Sequence, residues 1–249
     1  MEQQQKHNVL QFDDLHTKFA TFIHTDPMRL YLQYVPLLEK VALISNPEVL
    51  DIGCGDGTFA RLLAQQTSSR LIGYDASPLL VATAHEGELK HPSGAKFVVS
   101  EPEHFKLDKQ VDIALSCMVL CYAKDAQHLK TFFHSAWEHL KLESGFVSVT
   151  FNPLFAAFGE QMVTRRFERK GRDQVEVNFT EADTGATKLT AVLTQYTREE
   201  YEVAARAAGF SKVEWRPLYP SQAGIAKCGK AFWKNCVAAQ PYTLLACRK

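Results

Sequence analysis

Residues 49–60 read VLDIGCGDGTFA, with an acid at Asp51 ahead of glycines at Gly53, Gly55 and Gly57. Glycine permits positive φ and lets a second group approach the backbone with no Cβ in the way. The stretch reads as a strand giving way to a helix, whose first turn has unpaired N–H groups, so the spacing describes a ligand cradle at a βα turn. A second apolar run, LIGYDAS, ends in Asp75, twenty positions after Gly55. A carboxylate there is a two-oxygen acceptor. A phosphate-cradling loop needs GxxxxGK[ST], and no Lys follows these glycines. A dinucleotide fingerprint needs GxGxxG; Gly53 and Gly55 fit, but Thr58 occupies the third glycine position and Gly57 falls one place early.

The elements that must position these residues follow from periodicity. Val49–Gly53, Leu71–Asp75, Lys96–Ser100, Val111–Ser116 and Gly145–Phe151 read as short apolar strands. Between them lie helical stretches at Thr58–Gln66, at Ser77–Lys90 with Ser77 as N-cap and Pro78 at the first helical position, and at Asp125–Leu140. This alternation predicts an α/β fold whose mostly parallel sheet is covered on both faces. Apolar residues at helical intervals between Phe12 and Leu43, broken at Asp26-Pro27, predict two N-terminal helices within residues 1–45. Residues 152–196 depart from the pattern: a helix is expected near Leu154–Phe167, then a hairpin built on Val175, Val177, Phe179 and on Leu189, Ala191, Leu193. A helix over Thr197–Ala208, stopped by Gly209, a strand near Lys212–Trp215 and a last strand at Tyr242–Cys247 complete seven strands. The whole, residues 1–249, reads as one domain carrying 152–196 as an inserted α/β lid.

Composition narrows the function classes. Hydrophobic residues make up 46% of the 249 residues, enough for a continuous core, and 28 basic residues balance 28 acidic ones. A neutral chain has no long-range field to bring it to nucleic acid or to an anionic membrane. The first residues, MEQQQKHNVLQFDD, are not a signal sequence, and no apolar run is long enough to span a bilayer, so the expected location is cytoplasmic. Six cysteines, at 54, 117, 121, 228, 236 and 247, follow neither a disulfide framework nor a zinc spacing. Reduced buried thiols and no metal are the expectation.

DIGCGDG resembles the first motif of the class I S-adenosylmethionine-dependent methyltransferases, an acid followed by GxGxG, at Asp51, Gly53, Gly55 and Gly57. The resemblance extends to Asp75-Ala76 at the second strand end, to Ser100-Glu101-Pro102 where the family usually has an Asp for the adenine amino group, and to VDIALSCMVLCY, in which Ser116 ends the fourth strand. It also covers WEHLKLESGFVSVTF, with Ser144-Gly145 in place of a glycine pair, and TREEYEVAARAAGF, common among small-molecule members. The C-terminal FW and PYTLLACRK segments are loosely similar to bacterial heterocycle N-methyltransferases of the toxoflavin-biosynthesis type. The resemblance implies a Rossmann-like seven-stranded sheet with the last strand antiparallel. It implies S-adenosylmethionine as donor and S-adenosylhomocysteine as product, with Asp51, the three glycines, Asp75, Ala76, Glu101, Pro102 and Ser116 around the donor.

Methyl transfer from a sulfonium is an in-line displacement, in which the protein holds donor and acceptor collinear and excludes water. A nucleophilic acceptor needs no general base, so no catalytic residue stands out. Tyr122 and His104 are the candidates near the expected methyl and pocket mouth. Arg29 and Tyr34 are placed to close over donor or acceptor, and Phe151 and Phe155, with Phe158, Phe167 and Phe179, to line an aromatic roof suited to a flat acceptor. The basic stretch RRFERKGR, Arg165–Arg172, reads as a solvated helix end rather than a phosphate-binding patch. The expected reaction is methylation of nitrogen or oxygen in a small, possibly heteroaromatic, molecule by a monomer or homodimer. An RNA or protein methyltransferase and a non-catalytic S-adenosylmethionine-binding module are the alternatives.

Overall fold

The structure is a computed structural model that describes residues 24–181 and 183–249. The first N-terminal helix of the expectation falls mostly outside these residues. After Asp26-Pro27 the chain makes a π-helical turn, Arg29–Gln33, and then α1, Val35–Ala42.

Strands β1 (Glu48–Ile52), β2 (Arg70–Asp75), β3 (Lys96–Val99), β4 (Val111–Cys117), β5 (Leu140–Phe151), β10 (Lys212–Pro217) and β11 (Tyr242–Arg248) form a seven-stranded sheet ordered β10-β11-β5-β4-β1-β2-β3. Neighbouring strands from β1 to β5 pair parallel, and β11 runs antiparallel to both β5 and β10. Helices α2 (Thr58–Gln66), α3 (Pro78–Lys90), α4 (Ala126–His139) and α5 (Arg198–Ala208) are crossovers of the expected alternation. Three of the four have a side-chain cap at the start: Ser77 and Asp125 accept from Leu80 and His128 amides, and Thr197 forms a capping box with Glu200; α2 begins at left-handed Gly57 instead. Two helices not read from the sequence, α6 (Gln222–Cys228) and α7 (Lys230–Ala239), precede β11. Among the described residues no helix is long and apolar enough to cross a membrane.

The insertion differs from expectation. No helix forms over 154–167; instead β6 (Gln161–Met162), β7 (Arg165–Arg169), β8 (Gln174–Thr180) and β9 (Thr187–Thr194) make a four-stranded antiparallel sheet. The reason is local. Asn152 caps a turn at Leu154, Gly159 has φ +81, and Val163-Thr164 is β-branched. Beyond them Arg165 and Phe167 are buried while Arg166 and Glu168 are half-exposed, a period of two. The basic stretch is therefore a strand and a turn, and its first residue is not solvated: Arg165 is 1% exposed and pairs with Asp26, itself 2% exposed. Asp26 also accepts from Thr164 Oγ1 at 2.6 Å and from the Met28 and Arg29 amides, so one carboxylate joins the lid sheet to the π-helical turn. A continuous apolar cluster runs from the main sheet through Phe151 and Phe155 into Phe167, Val177 and Ala191 of the lid.

Candidate functional site

The chain passes from β1 to β2 and β3 on one side, then returns to β4 and β5 on the other. Strand order thus reverses between β1 and β4, and the crevice left at their carboxyl ends is where open α/β sheets bind ligands. A cavity of about 160 Å³ lies there.

Its floor is the glycine turn. Gly53, Gly55 and Gly57 all have positive φ, between +55 and +73. They do different work. A Cβ on Gly53 would lie 2.3 Å from Val119 Cγ2 and one on Gly57 2.8 Å from Phe97 Cζ, whereas one on Gly55 would meet nothing within 4 Å. Gly55 alone presents open space to the cavity; Gly53 borders the cavity but serves close packing, and Gly57 borders packing and the helix start rather than ligand space. That corrects the expectation that all three clear room for a ligand.

Two acids flank the turn. Asp75 Oδ2 accepts from the Gly55 amide at 2.9 Å and Oδ1 from the Ser77 amide at 2.9 Å, which fixes the carboxylate. Asp51, in β1, is 3% exposed and its Oδ2 has no hydrogen-bond partner. Burial, and then the charge of Asp75, push the Asp51 carboxyl up to about 7. An orphaned acid of this kind favours a cationic partner.

The opposite charge is supplied from the π-helical turn. Arg29 is 7% exposed, its guanidinium Nη1 donates to Cys117 Sγ at 3.3 Å and its Nε has no partner. Among the described residues no carboxylate pairs with it. It lies 5.6 Å from the Tyr34 ring centroid, and both residues border the cavity. A buried cation beside a buried orphaned acid is a cradle for a zwitterion.

Ala76, Glu101, Pro102 and Tyr122 also border the cavity. Four expected residues do not. Ser116 is fully buried and donates to Ser148 Oγ at 2.7 Å; side chains alternate along β4, and its neighbour Cys117 takes the cavity face. His104 is exposed on the turn after Glu101. Phe151 and Phe155 stack on each other at 5.2 Å and on Phe167 at 5.3 and 5.0 Å, forming the junction between the sheets rather than a roof. Sequence reasoning missed Lys124, His128 and Phe132, which reach the wall from the start of α4. The signal available was that a helix following β4 begins at the ligand edge of the sheet.

A narrow second crevice of about 10 Å³ lies beneath the lid, between Gln33, Phe179, Arg165 and Tyr242. Arg29, Met118 and Tyr122 border both spaces. Gln33 is 1% exposed and its Oε1 has no partner. Burial raises the Tyr122 phenol well above its ordinary range, so it stays protonated and serves as a donor rather than a base.

A family described as "Methyltransferase domain" matches residues 49–143, which contain the glycine turn, both acids and the start of α4. An uncharacterized methyltransferase of Schizosaccharomyces pombe is 40% identical over 50 residues, a span covering 20% of this chain and 19% of that protein. An S-adenosylmethionine-dependent methyltransferase from Clostridium acetobutylicum superposes with TM-score 0.62 at 13% identity, covering 87% of this chain and 90% of its own. The sugar N-methyltransferase KedS8 from a Streptoalloteichus species gives 0.58 at 19% identity, over 87% and 84%. Both structural likenesses are of fold: the chain has the Rossmann-like architecture of class I methyltransferases.

Proposed function

We propose that this chain is an S-adenosylmethionine-dependent methyltransferase that methylates a nitrogen or oxygen of a small molecule and releases S-adenosylhomocysteine. The observation that carries the reading is the set of complementary groups at one switch point: Asp75 fixed by the Gly55 and Ser77 amides at the cavity edge, Gly55 facing open space, and Asp51 and Arg29 buried with orphaned atoms. Asp75 suits the ribose diol, Asp51 the donor's ammonium and Arg29 its carboxylate. No Lys follows the glycines, as a phosphate-bearing ligand would want.

When bound, the donor supplies a methyl on a sulfonium. The chain's own residues orient and enclose. Met118 and Tyr122, shared by both spaces, stand between donor and acceptor, and the lid sheet covers the acceptor side. Because the crevice beneath it is narrow, entry of an acceptor requires the lid to shift.

Three features support a small acceptor over RNA or protein. The chain is neutral, Arg165 is buried in an ion pair, and Arg166 and Lys170 face Glu168 and Glu176. KedS8, one of the similar structures, is a sugar N-methyltransferase, which agrees with such an acceptor. A flat heteroaromatic acceptor, as the C-terminal resemblance suggests, would meet the aromatic rings of Phe179 and Tyr122 once the lid shifts. A non-catalytic donor-binding module is the competing reading, and a second space sharing Arg29, Met118 and Tyr122 with the first speaks against it.

Calorimetric titration of the purified protein with S-adenosylmethionine, S-adenosylhomocysteine and NAD tests the reading. Binding of the first two and not the third is expected. Tight NAD binding with no response to the sulfonium would overturn it.

A further inference from the structure

At the outer end of the main cavity, Glu101 and Pro102 offer a carboxylate acceptor with no backbone donor beside it, since Pro102 has no amide hydrogen. His128, in the first turn of α4, stands across from them. The Lys124 amide donates to its Nδ1 at 3.2 Å, so in the neutral ring the proton sits on Nε2. Burial, and then the charge of Lys124, hold the imidazole below its ordinary range, which keeps it neutral near pH 7. Its Nε2 is buried without a hydrogen-bond partner, 4.0 Å from Glu101 Oε2 and beyond bonding reach of it. The Phe132 ring, 4.9 Å away, adds an apolar face to the same wall.

A carboxylate beside an N–H is an acceptor–donor pair. The exposed edge of adenine is its complement, an amino group beside the unprotonated ring nitrogen N1. With Glu101 in the place that the resemblance gives to the acceptor of the adenine amino group, we infer that His128 is a further reader of the donor's base, its Nε2–H donating to N1. The inference rests on the donor assignment made above and gives His128 a specificity-determining role rather than one in the transfer step. It also gives a physical sense to the pairing of Pro102 with a histidine on a different element: the side chain provides the donor that the proline withholds. Glu103 brings a third possible ligand atom within 4.8 Å of Glu101 and His128, so a divalent cation is the competing occupant.

The experiment compares S-adenosylhomocysteine with its 1-deaza analogue, in which N1 is replaced by C–H and the amino group is kept. Titrations are run in EDTA against the wild type, His128→Leu, His128→Phe and His128→Gln, each first checked for a wild-type melting temperature. The wild type is expected to prefer S-adenosylhomocysteine by about tenfold, the scale of one buried hydrogen bond. The Leu and Phe variants are expected to bind both ligands alike, and Gln, which keeps an N–H near the Nε2 position, to retain a preference. If Leu does not fold, Phe, which preserves a ring against Phe132, decides. A folded Leu or Phe variant that keeps the wild-type preference overturns the inference. So does a wild type that binds both ligands equally, or binding lost in EDTA and restored by a divalent cation. A wild type that binds neither ligand, with or without metal, overturns the donor assignment itself.

Discussion

Asp75 is held by two amides at the end of β2 and borders the cavity. Asp75→Ala is therefore expected to weaken S-adenosylhomocysteine binding by at least about tenfold, since it removes charge-assisted acceptors; unchanged affinity in calorimetry would mean that the ribose lies elsewhere. Asp51 makes a pH-dependent prediction. Its folded pKa of about 7 lies above the usual carboxylate range, so between roughly pH 4 and 7 the native state holds a proton that the unfolded state releases. The ligand-free protein thus loses stability as pH rises through that window. Asp51→Asn is expected to raise the melting temperature at pH 8 while weakening S-adenosylhomocysteine. A melting temperature at pH 8 that is unchanged or lowered would refute the assignment of strain to this carboxyl. Asp51, Gly55 and Asp75 were legible in the sequence because they are spaced along one βα turn and the strand beside it. The separate duties of Gly53 and Gly57 were not, because Val119 and Phe97, which crowd them, come from other strands and loops. His128 was not legible either, since its meaning depends on Glu101, which the fold brings to within 4.0 Å of it from a different element.

At the scale of elements, the parallel strands and their helices could be read because each carries its own start and stop: Ser77-Pro78, Asp125, Thr197 with Glu200, and Gly209. The lid could be read only in part. Its β8–β9 hairpin has clear alternation, but the approach to it contains enough helical-looking residues to hide a strand, and Arg165 was taken for a solvated base because its partner, Asp26, is 139 positions away. That ion pair joins two elements that both border the acceptor crevice. Removing one member leaves a buried charge alone, a loss of about 3–5 kcal/mol, whereas replacing both with apolar residues is often close to neutral. Asp26→Leu and Arg165→Met are each expected to lower stability by that order, and the double variant to recover most of it. Thermal melts of the four proteins check this, and an additive double variant would mean that the two side chains contribute independently.

At the scale of the molecule, the seven strands were legible from the number and spacing of apolar runs, the reversed last strand only through the family resemblance, and the insertion from the place where that spacing lapses; the strand order came from the structure. How the two sheets meet was not, because the junction of Phe151, Phe155 and Phe167 forms only when the lid folds back on the main sheet. The same folding back makes one wall serve two spaces, with Arg29, Met118 and Tyr122 on both sides of it and Gln33 and Phe179 on the crevice side only. On the proposed function, the shared wall couples the two Michaelis constants at those three residues. Tyr122→Phe is expected to shift the Michaelis constants for donor and acceptor together, and Gln33→Ala that for the acceptor alone. Initial-rate measurements with both substrates varied would sort the partition residues from those of the crevice, and a Tyr122 variant that moved only one constant would place a barrier where the fold has a shared wall.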